Sequence, residues 1–433
     1  LKPARRGTGK IDESSLPMRD GSEPAHGQES GPGYARGSVA YRCLTIAMLF
    51  AGFSTFSMLY SVQPLLPLFA AEYGLSAEAA SLAVSVGTGA LALGILIAGV
   101  ASDRLGRRPL MVFAMMSAGA CTFVAAIAPG WPSLLALRLL TGLALAGVPA
   151  VAMAYVAEEV RGHDVGSAMG LYIAGSALGG MGGRLIASLV ASVGGWRWAV
   201  GAVGVLGLVM AEAFRRLAPP SRGFIPRLAR QGGTLELLRD RALPLLYMEA
   251  FVLMGVFVTV YNYAGFRLMG PPYLLSQAAV GAVFLLYIVG SASSAWFGAL
   301  AGRIGRRRIF LVTVLILIAG VGITSARPLA LFILGIGVVT AGFFGAHSIA
   351  SSWVGRRALH NRGQAAALYL FAYYLGSSVL GSAGGVAWTK AGWQGVTWFC
   401  LALGAVALAG AVALARVAPL SIPDPQPKAP VEA

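Results

Sequence analysis

Twelve apolar stretches, each close to the length a helix needs to cross a bilayer, dominate this sequence. They run 44–70, 78–101, 109–128, 133–156, 166–191, 197–216, 242–266, 276–301, 309–325, 328–353, 363–387 and 394–416. At a rise of 1.5 Å per residue, about 20 apolar residues span a hydrocarbon core roughly 30 Å thick. Membrane-crossing strands are shorter and alternate apolar with polar residues, a pattern these stretches do not follow. In lipid, backbone groups must be satisfied within their own segment, so helices are forced. The expected fold is all-α and integral to a membrane, with twelve transmembrane helices. Composition agrees: 57% of the 433 residues are hydrophobic and only 12% are charged. Disorder needs low hydrophobicity, and a disulfide scaffold needs a dense set of cysteines. Cys43, Cys121 and Cys400 all lie in apolar segments and are expected as free thiols.

The net charge is +16. On a soluble chain that would suggest nucleic acid; on a membrane chain it marks the cytoplasmic side. The position of the arginines decides between the two. With the N-terminus inside, the cytoplasmic breaks hold 18 basic residues, among them Arg104, Arg107, Arg108, Arg161 and Arg215. The outward breaks hold four: Arg197, Arg267, Arg327 and Lys390. This bias predicts both termini in the cytoplasm and leaves no reason for a nucleic-acid partner.

The chain accordingly divides into a disordered cytoplasmic tail (1–42), a six-helix half (43–216), a basic central loop (217–241), a second six-helix half (242–417) and a short cytoplasmic tail (418–433). The first tail has no apolar core after a basic start, so no secretory signal is expected there. It begins with Leu1, consistent with an alternative start codon or with a start at Met18.

The halves echo each other. GVASDRLGRR begins at Gly99 and GALAGRIGRR at Gly298, an offset of 199. HDVGSAMGLY begins at His163 and HNRGQAAALY at His360, an offset of 197 that also carries Gly195-Trp196 onto Gly392-Trp393. Near-constant offsets at matching loops indicate duplication. Two parallel six-helix repeats are a transporter architecture, with the substrate path between them.

Gly99, Asp103, Arg104, Gly106, Arg107 and Arg108 match the loop signature G-x-x-x-D-R-x-G-R-R, and Arg138, Gly142 and Ala146 match R-x-x-x-G-x-x-x-A. In these motifs the chain resembles the major facilitator superfamily. In YSVQPLLPLF from Tyr60, GLYIAGSALGGMGGR from Gly170, FVTVYNY from Phe257 and GAHSIASSWVGRRAL from Gly345, it is similar to the YnfM-like branch of exporters. The resemblance covers about 43–417. It implies alternating access and proton-driven efflux of small organic molecules from a bacterial inner membrane, with no cofactor beyond the proton gradient. A monomer is expected. An antiporter signature in the fifth helix usually carries Gly-Pro; here Gly175 is followed by Ser176. Proton-linked uptake or uniport of sugars or organic acids is the alternative within transport. A receptor or scaffold on the same fold is the alternative outside it.

Charges inside a span cost about 2.5–3.5 kcal/mol on insertion scales and so need a reason. Three stand out: Arg138, Arg184 and Glu249. Glu249, near the start of the seventh helix, is the proton-coupling candidate, because coupling needs a group whose proton affinity switches with access. A carboxylate hydrogen-bonded at the rim, or paired with a loop arginine, is the alternative. His347 is a second candidate, set against an ordinary buried histidine. Guanidinium keeps its charge, so Arg138 and Arg184 are candidates for an anionic substrate group. Their alternatives are a fixed helix clasp and a snorkelling side chain. Gln63, Tyr261, Asn262, Phe344 and Tyr373 complete the candidate cavity, since aromatic walls suit planar organic molecules; for Tyr261 and its neighbour Tyr263 an interfacial belt is the competing expectation.

The loop motif reads as a conformational gate. The resemblance implies that Asp103 locks the outward-facing state by meeting helix ends of the other half. The candidates are Gly99, Asp103, Arg104, Gly106, Arg107 and Arg108, with Gly298, Gly305 and Arg306 in the second copy. Gly302 stands where the first copy has Asp103, so the gate is asymmetric. Glycines at spacings of four in the fifth and eleventh helices predict close helix packing. No paired His/Cys ligands and no P-loop occur, so no metal and no ATP hydrolysis by that route are expected.

Overall fold

A computed structural model describes residues 33–221, 234–358 and 361–418. The expected tails over 1–32 and 419–433, part of the central loop at 222–233, and His360 lie outside the described residues. Fourteen α-helices follow in chain order: α1 (Val39–Tyr60), α2 (Leu66–Tyr73), α3 (Ala77–Leu105), α4 (Arg107–Ala125), α5 (Trp131–Leu145), α6 (Pro149–Glu159), α7 (Val165–Leu217), α8 (Thr234–Arg239), α9 (Leu243–Met269), α10 (Gln277–Ala282), α11 (Tyr287–Ile304), α12 (Arg306–Ile323), α13 (Leu329–Arg357) and α14 (Arg362–Arg416). Short 3₁₀ turns at Gln63–Leu65 and Val283–Leu286 continue two of the crossings.

Two helices are too long for one crossing. α7 has 53 residues and α14 has 55, each about 80 Å at 1.5 Å per residue. Each is broken once. Gly195 leaves the helical region at φ 80°, and Ala391 and Gly392 do so in α14. Each therefore crosses twice. With α1–α2, α5–α6 and α10–α11 each forming one crossing, the described helices make the twelve the sequence predicts.

Helix starts follow from local chemistry. The side chains of Ser38, Ser76 and Ser276 accept from the backbone N–H groups of Tyr41, Ala79 and Ala279, satisfying donors a helix N-terminus leaves open. Gly106 and Gly305 make the turns from α3 to α4 and from α11 to α12 at φ 89° and φ 107°. A side chain would be strained there, which explains a glycine at the same place in each copy of the loop motif.

Packing within each half uses small residues. A Cβ on Gly179 would lie 2.2 Å from the Phe53 carbonyl oxygen, and one on Gly376 would lie 2.0 Å from that of Phe251. The first crossing thus lies directly on the fifth, and the seventh on the eleventh.

The N-terminal segment is packed earlier than the expected boundary at 42–43. Tyr34 N–H donates to Glu159 O at 2.7 Å, and Arg36 N–H donates to Asp164 Oδ2 at 2.9 Å. Residues 33–38 therefore lie on the α6–α7 turn, and α1 begins at Val39.

The halves meet along a seam of short polar side chains. Ser81 Oγ donates to Ser382 Oγ at 3.1 Å, Ser382 Oγ to Ser85 Oγ at 2.7 Å, and Ser378 Oγ to Ser85 O at 2.7 Å. Gln277 Nε2 donates to Pro64 O at 2.9 Å. These residues lie toward the arginine-poor face, where α3 and α10 begin. The arginine-rich face is at the other end of the same helices.

Candidate functional site

Where the seam reaches the middle of the bundle, three predicted residues come together. Gln63 Nε2 donates to Asn262 Oδ1 at 2.7 Å. Arg184 Nε donates to Gln63 Oε1 at 2.7 Å, and its Nη1 to Gly180 O at 2.5 Å. Gln63 and Asn262 are 199 residues apart, the offset of the loop repeat, so equivalent positions of the two halves meet each other. The guanidinium carbon of Arg184 lies over Tyr60 at 4.5 Å, Tyr287 at 4.9 Å and Phe284 at 5.2 Å. These distances are within cation–π range. Arg184 is 2% exposed, so it does not snorkel. Toward the arginine-poor face, a cavity of about 10 Å³ bounded by Gln63, Tyr261 and Phe284 holds one water at most.

An aromatic wall continues from this cluster. Tyr287 lies 5.7 Å from Phe257 and 5.5 Å from Phe344, centroid to centroid. Phe257 stacks on Phe343 at 4.0 Å. Tyr373 and His347 follow, 6.2 Å and 6.0 Å from Phe343. Phe344, His347 and Tyr373 are half-buried, so this part of the wall is only partly covered by other side chains. His347 Nδ1 pairs with the Tyr369 hydroxyl at 2.9 Å.

Tyr261 belongs to this wall too, 4.9 Å from Phe257 and 5.5 Å from Tyr287; Arg138, Glu249 and the loop motif fall elsewhere. Arg138 gives Nε to Ala83 O at 2.9 Å, Nη1 to Met58 O at 3.0 Å and Nη2 to Leu59 O at 2.5 Å. It clasps α5 to α1 and α3, each of its three nitrogens donating to a backbone carbonyl. The geometry is that of the helix clasp rather than of a cavity group. Tyr261 and Tyr263 are buried, with Tyr261 OH bonded to Thr340 Oγ1 at 2.8 Å and Tyr263 OH donating to Gly381 O at 3.0 Å. Neither ring sits in an interfacial belt.

Glu249 is fully buried, and among the described residues neither carboxyl oxygen has a hydrogen-bond partner, arginines included. It faces the last crossing, where a Cβ on Gly410 would lie 2.3 Å from its Oε1. Thirteen residues of α9 separate it from Asn262, about 20 Å along the axis.

The loop motif is bound up within its own half. Arg107 Nη1 donates to Asp103 Oδ1 at 2.7 Å and to Ser102 Oγ at 2.5 Å; its Nη2 reaches Glu158 Oε1 at 3.0 Å. Asp103 meets Arg107 here; the contact with the other half that the resemblance implies belongs to the outward-facing state. Arg108 donates to the carbonyls of Ala218 and Arg215 at 2.8 and 2.6 Å. A Cβ on Gly99 would meet nothing within 4 Å, and one on Gly298 would lie 3.2 Å from Ser348 Oγ. Arg104 lies in the last turn of α3.

Sequence reasoning passed over Phe284, Tyr287, Ser377 and the serine seam as site residues. The seam carried a signal: Ser81 and Ser85, and Ser378 and Ser382, recur at spacings of four on one helix face.

Comparison with known proteins agrees with this architecture. A family model described as Major Facilitator Superfamily matches residues 48–340. The transporter YybF of Bacillus subtilis is 44% identical over 365 residues, covering 83% of this chain and 90% of YybF. The inner membrane transport protein YnfM of Escherichia coli is 43% identical over 378 residues, covering 86% of this chain and 90% of YnfM. Among solved structures, a D-xylose–proton symporter superposes with a TM-score of 0.72 at 16% identity, covering 88% of this chain and 98% of that one.

Proposed function

Because this chain belongs to the major facilitator superfamily, we propose that it exports small organic molecules from a bacterial cytoplasm in exchange for protons. The family and these relatives are transporters rather than enzymes, and the chain is a membrane protein that moves small solutes by secondary transport. The proposal adds direction, coupling and orientation. The arginine-rich face and both termini are cytoplasmic, in the inner membrane, and a monomer suffices because its two halves build one central site.

One observation carries the reading. The halves are bonded to each other along a seam at the arginine-poor face, and the central cluster lies just beneath it. Such an arrangement suits one end state of alternating access, closed outside and open to the cytoplasm. Breaking the seam while the arginine-rich ends close gives the other end state. Neutral hydroxyl contacts suit a seam that forms and breaks in every cycle, since a net hydrogen bond contributes only about 0.5–1.5 kcal/mol. Glu249 serves as the proton carrier. It is a carboxyl group with no partner, on a helix of the second half that also supplies Asn262 to the centre. Glu249 and Arg184 lie on opposite halves, so rocking one half against the other changes the surroundings of both.

The alternative of proton-linked uptake of organic acids draws support from the cation at the centre, which a sugar does not need. Purified protein in liposomes with an imposed pH gradient decides between them. Proton movement opposite to that of an added dye or acid supports exchange. Movement in the same direction supports uptake. No proton movement with dyes, sugars or organic acids would remove the coupling claim.

A further inference from the structure

We propose that the central site takes an organic anion, its carboxylate seated on Arg184 and its planar apolar body against the aromatic wall. This deepens the transport reading and rests on it. Arg184 is a buried cation without a carboxylate partner among the described residues. It uses two of its nitrogens on neutral acceptors, the Gln63 side chain and the Gly180 carbonyl. A buried charge is costly unless it is paired. Arg138 shows what a structural arginine looks like in this chain: equally buried, with all three nitrogens given to carbonyls that tie helices together.

The groups around Arg184 lack the same thing. The Tyr60 hydroxyl, on the ring under the guanidinium, and the Ser377 hydroxyl lie beside each other. Neither has any other partner among the described residues. Asn262 Nδ2 is buried and unpaired, although its Oδ1 accepts from Gln63. Asn262 Nδ2 and Arg184 can only donate, and the Tyr60–Ser377 hydroxyl pair has a proton left to give. Donors left over around one cation call for an acceptor-rich negative group. Glu249 cannot supply it from about 20 Å down α9. A cationic substrate would be repelled at this point, and a neutral one would leave the charge uncompensated. The second half of the recognition is the wall. Tyr287 touches both the guanidinium and Phe344, which is half-buried, so a flat body attached to the carboxylate has a ring to lie against.

The test is binding to the purified full chain in detergent, measured calorimetrically without any gradient. Four probes differ in one property each: 1-naphthoate, 1-naphthylmethylamine, 1-naphthalenemethanol and octanoate. Naphthoate should bind, the amine and the alcohol about tenfold more weakly or not at all. Octanoate, which keeps the charge and drops the ring, should bind several-fold more weakly. Arg184→Gln should lose naphthoate binding by at least about tenfold. Ser377→Ala removes a hydroxyl whose one neighbour is the Tyr60 hydroxyl, so it should nearly keep its melting temperature and bind naphthoate several-fold more weakly; it stands in if Arg184→Gln fails to fold. Equal binding of the amine or the alcohol, undiminished binding by both variants, or no naphthoate binding at all would overturn the proposal. Naphthoate binding without proton flux in liposomes would keep the anion site and sink the coupling; proton-coupled flux of a cationic dye with no naphthoate binding would do the reverse.

Discussion

In the first half, Arg108 holds the carbonyl of Ala218; in the second, Arg307 holds that of Val417. Both partners are displaced by the same 199 residues, so this clamp between the third crossing and the end of the sixth was copied intact. The neighbouring position behaves differently. Arg107 is bonded to Asp103 and Glu158, whereas Arg306 has Gly302 where the acid would be. Deeper in the bundle the halves diverge further. Arg184 of the first half corresponds to Gly381 of the second, and Glu249 of the second to Phe50 of the first. The clamp made by Arg108 and Arg307 is repeated, whereas Arg138, Arg184 and Glu249 have Gly337, Gly381 and Phe50 at the equivalent positions. The buried cations Arg138 and Arg184 belong to the first half and the carboxyl of Glu249 to the second.

The comparison can be broken at its scaffold first. Gly179→Leu and Gly376→Leu should each remove most folded protein, as read by size-exclusion chromatography of the solubilised membrane fraction. Overpacking costs about 1–3 kcal/mol or more, and here backbone rather than a flexible side chain stands in the way. Tolerance in one half alone would contradict equivalent packing. Next comes the acid. Glu249→Gln should lower proton-driven transport at least about tenfold while leaving substrate binding in place. Unchanged coupling in proteoliposomes would remove Glu249 from the mechanism.

The loop motif gives a smaller and asymmetric effect. Arg107→Gln and Asp103→Asn should slow turnover several-fold with little change in apparent affinity. Arg306→Gln should change turnover less than about twofold, because it breaks no comparable ion-pair cluster. Equal losses in both halves would mean that the motif sets topology only. Smallest are the clamps. Arg108→Gln and Arg307→Gln should each cost about 1 kcal/mol of stability, seen as matching small drops in melting temperature.

The crossings were legible because length and hydropathy alone set them. Even the breaks in α7 and α14 stood out as polar gaps around Gly195 and Gly392. What pattern did not give was direction. A helix apolar on all sides has no polar face to orient it. Nothing in the sequence therefore said that Glu249 faces Gly410, or that Arg138 turns to three carbonyls while Arg184 keeps donors free. Those outcomes depend on contacts between residues far apart in the chain, such as Gln63 with Arg184 at a separation of 121. The repeat offset held the clue to one of them, since it carries Gln63 onto Asn262.

That last pair has a consequence for how such a chain arose. In a homodimer with a two-fold axis, a residue on the axis touches its own copy. A carboxylate or an ammonium there meets a like charge, whereas a carboxamide both donates and accepts. Gln63 and Asn262 are both carboxamides at equivalent positions, bonded amide to amide. A self-pairing amide is a contact that a two-fold arrangement of six-helix units can hold on its axis, whereas Arg184 and Glu249, which the repeat does not carry across, need two unlike halves.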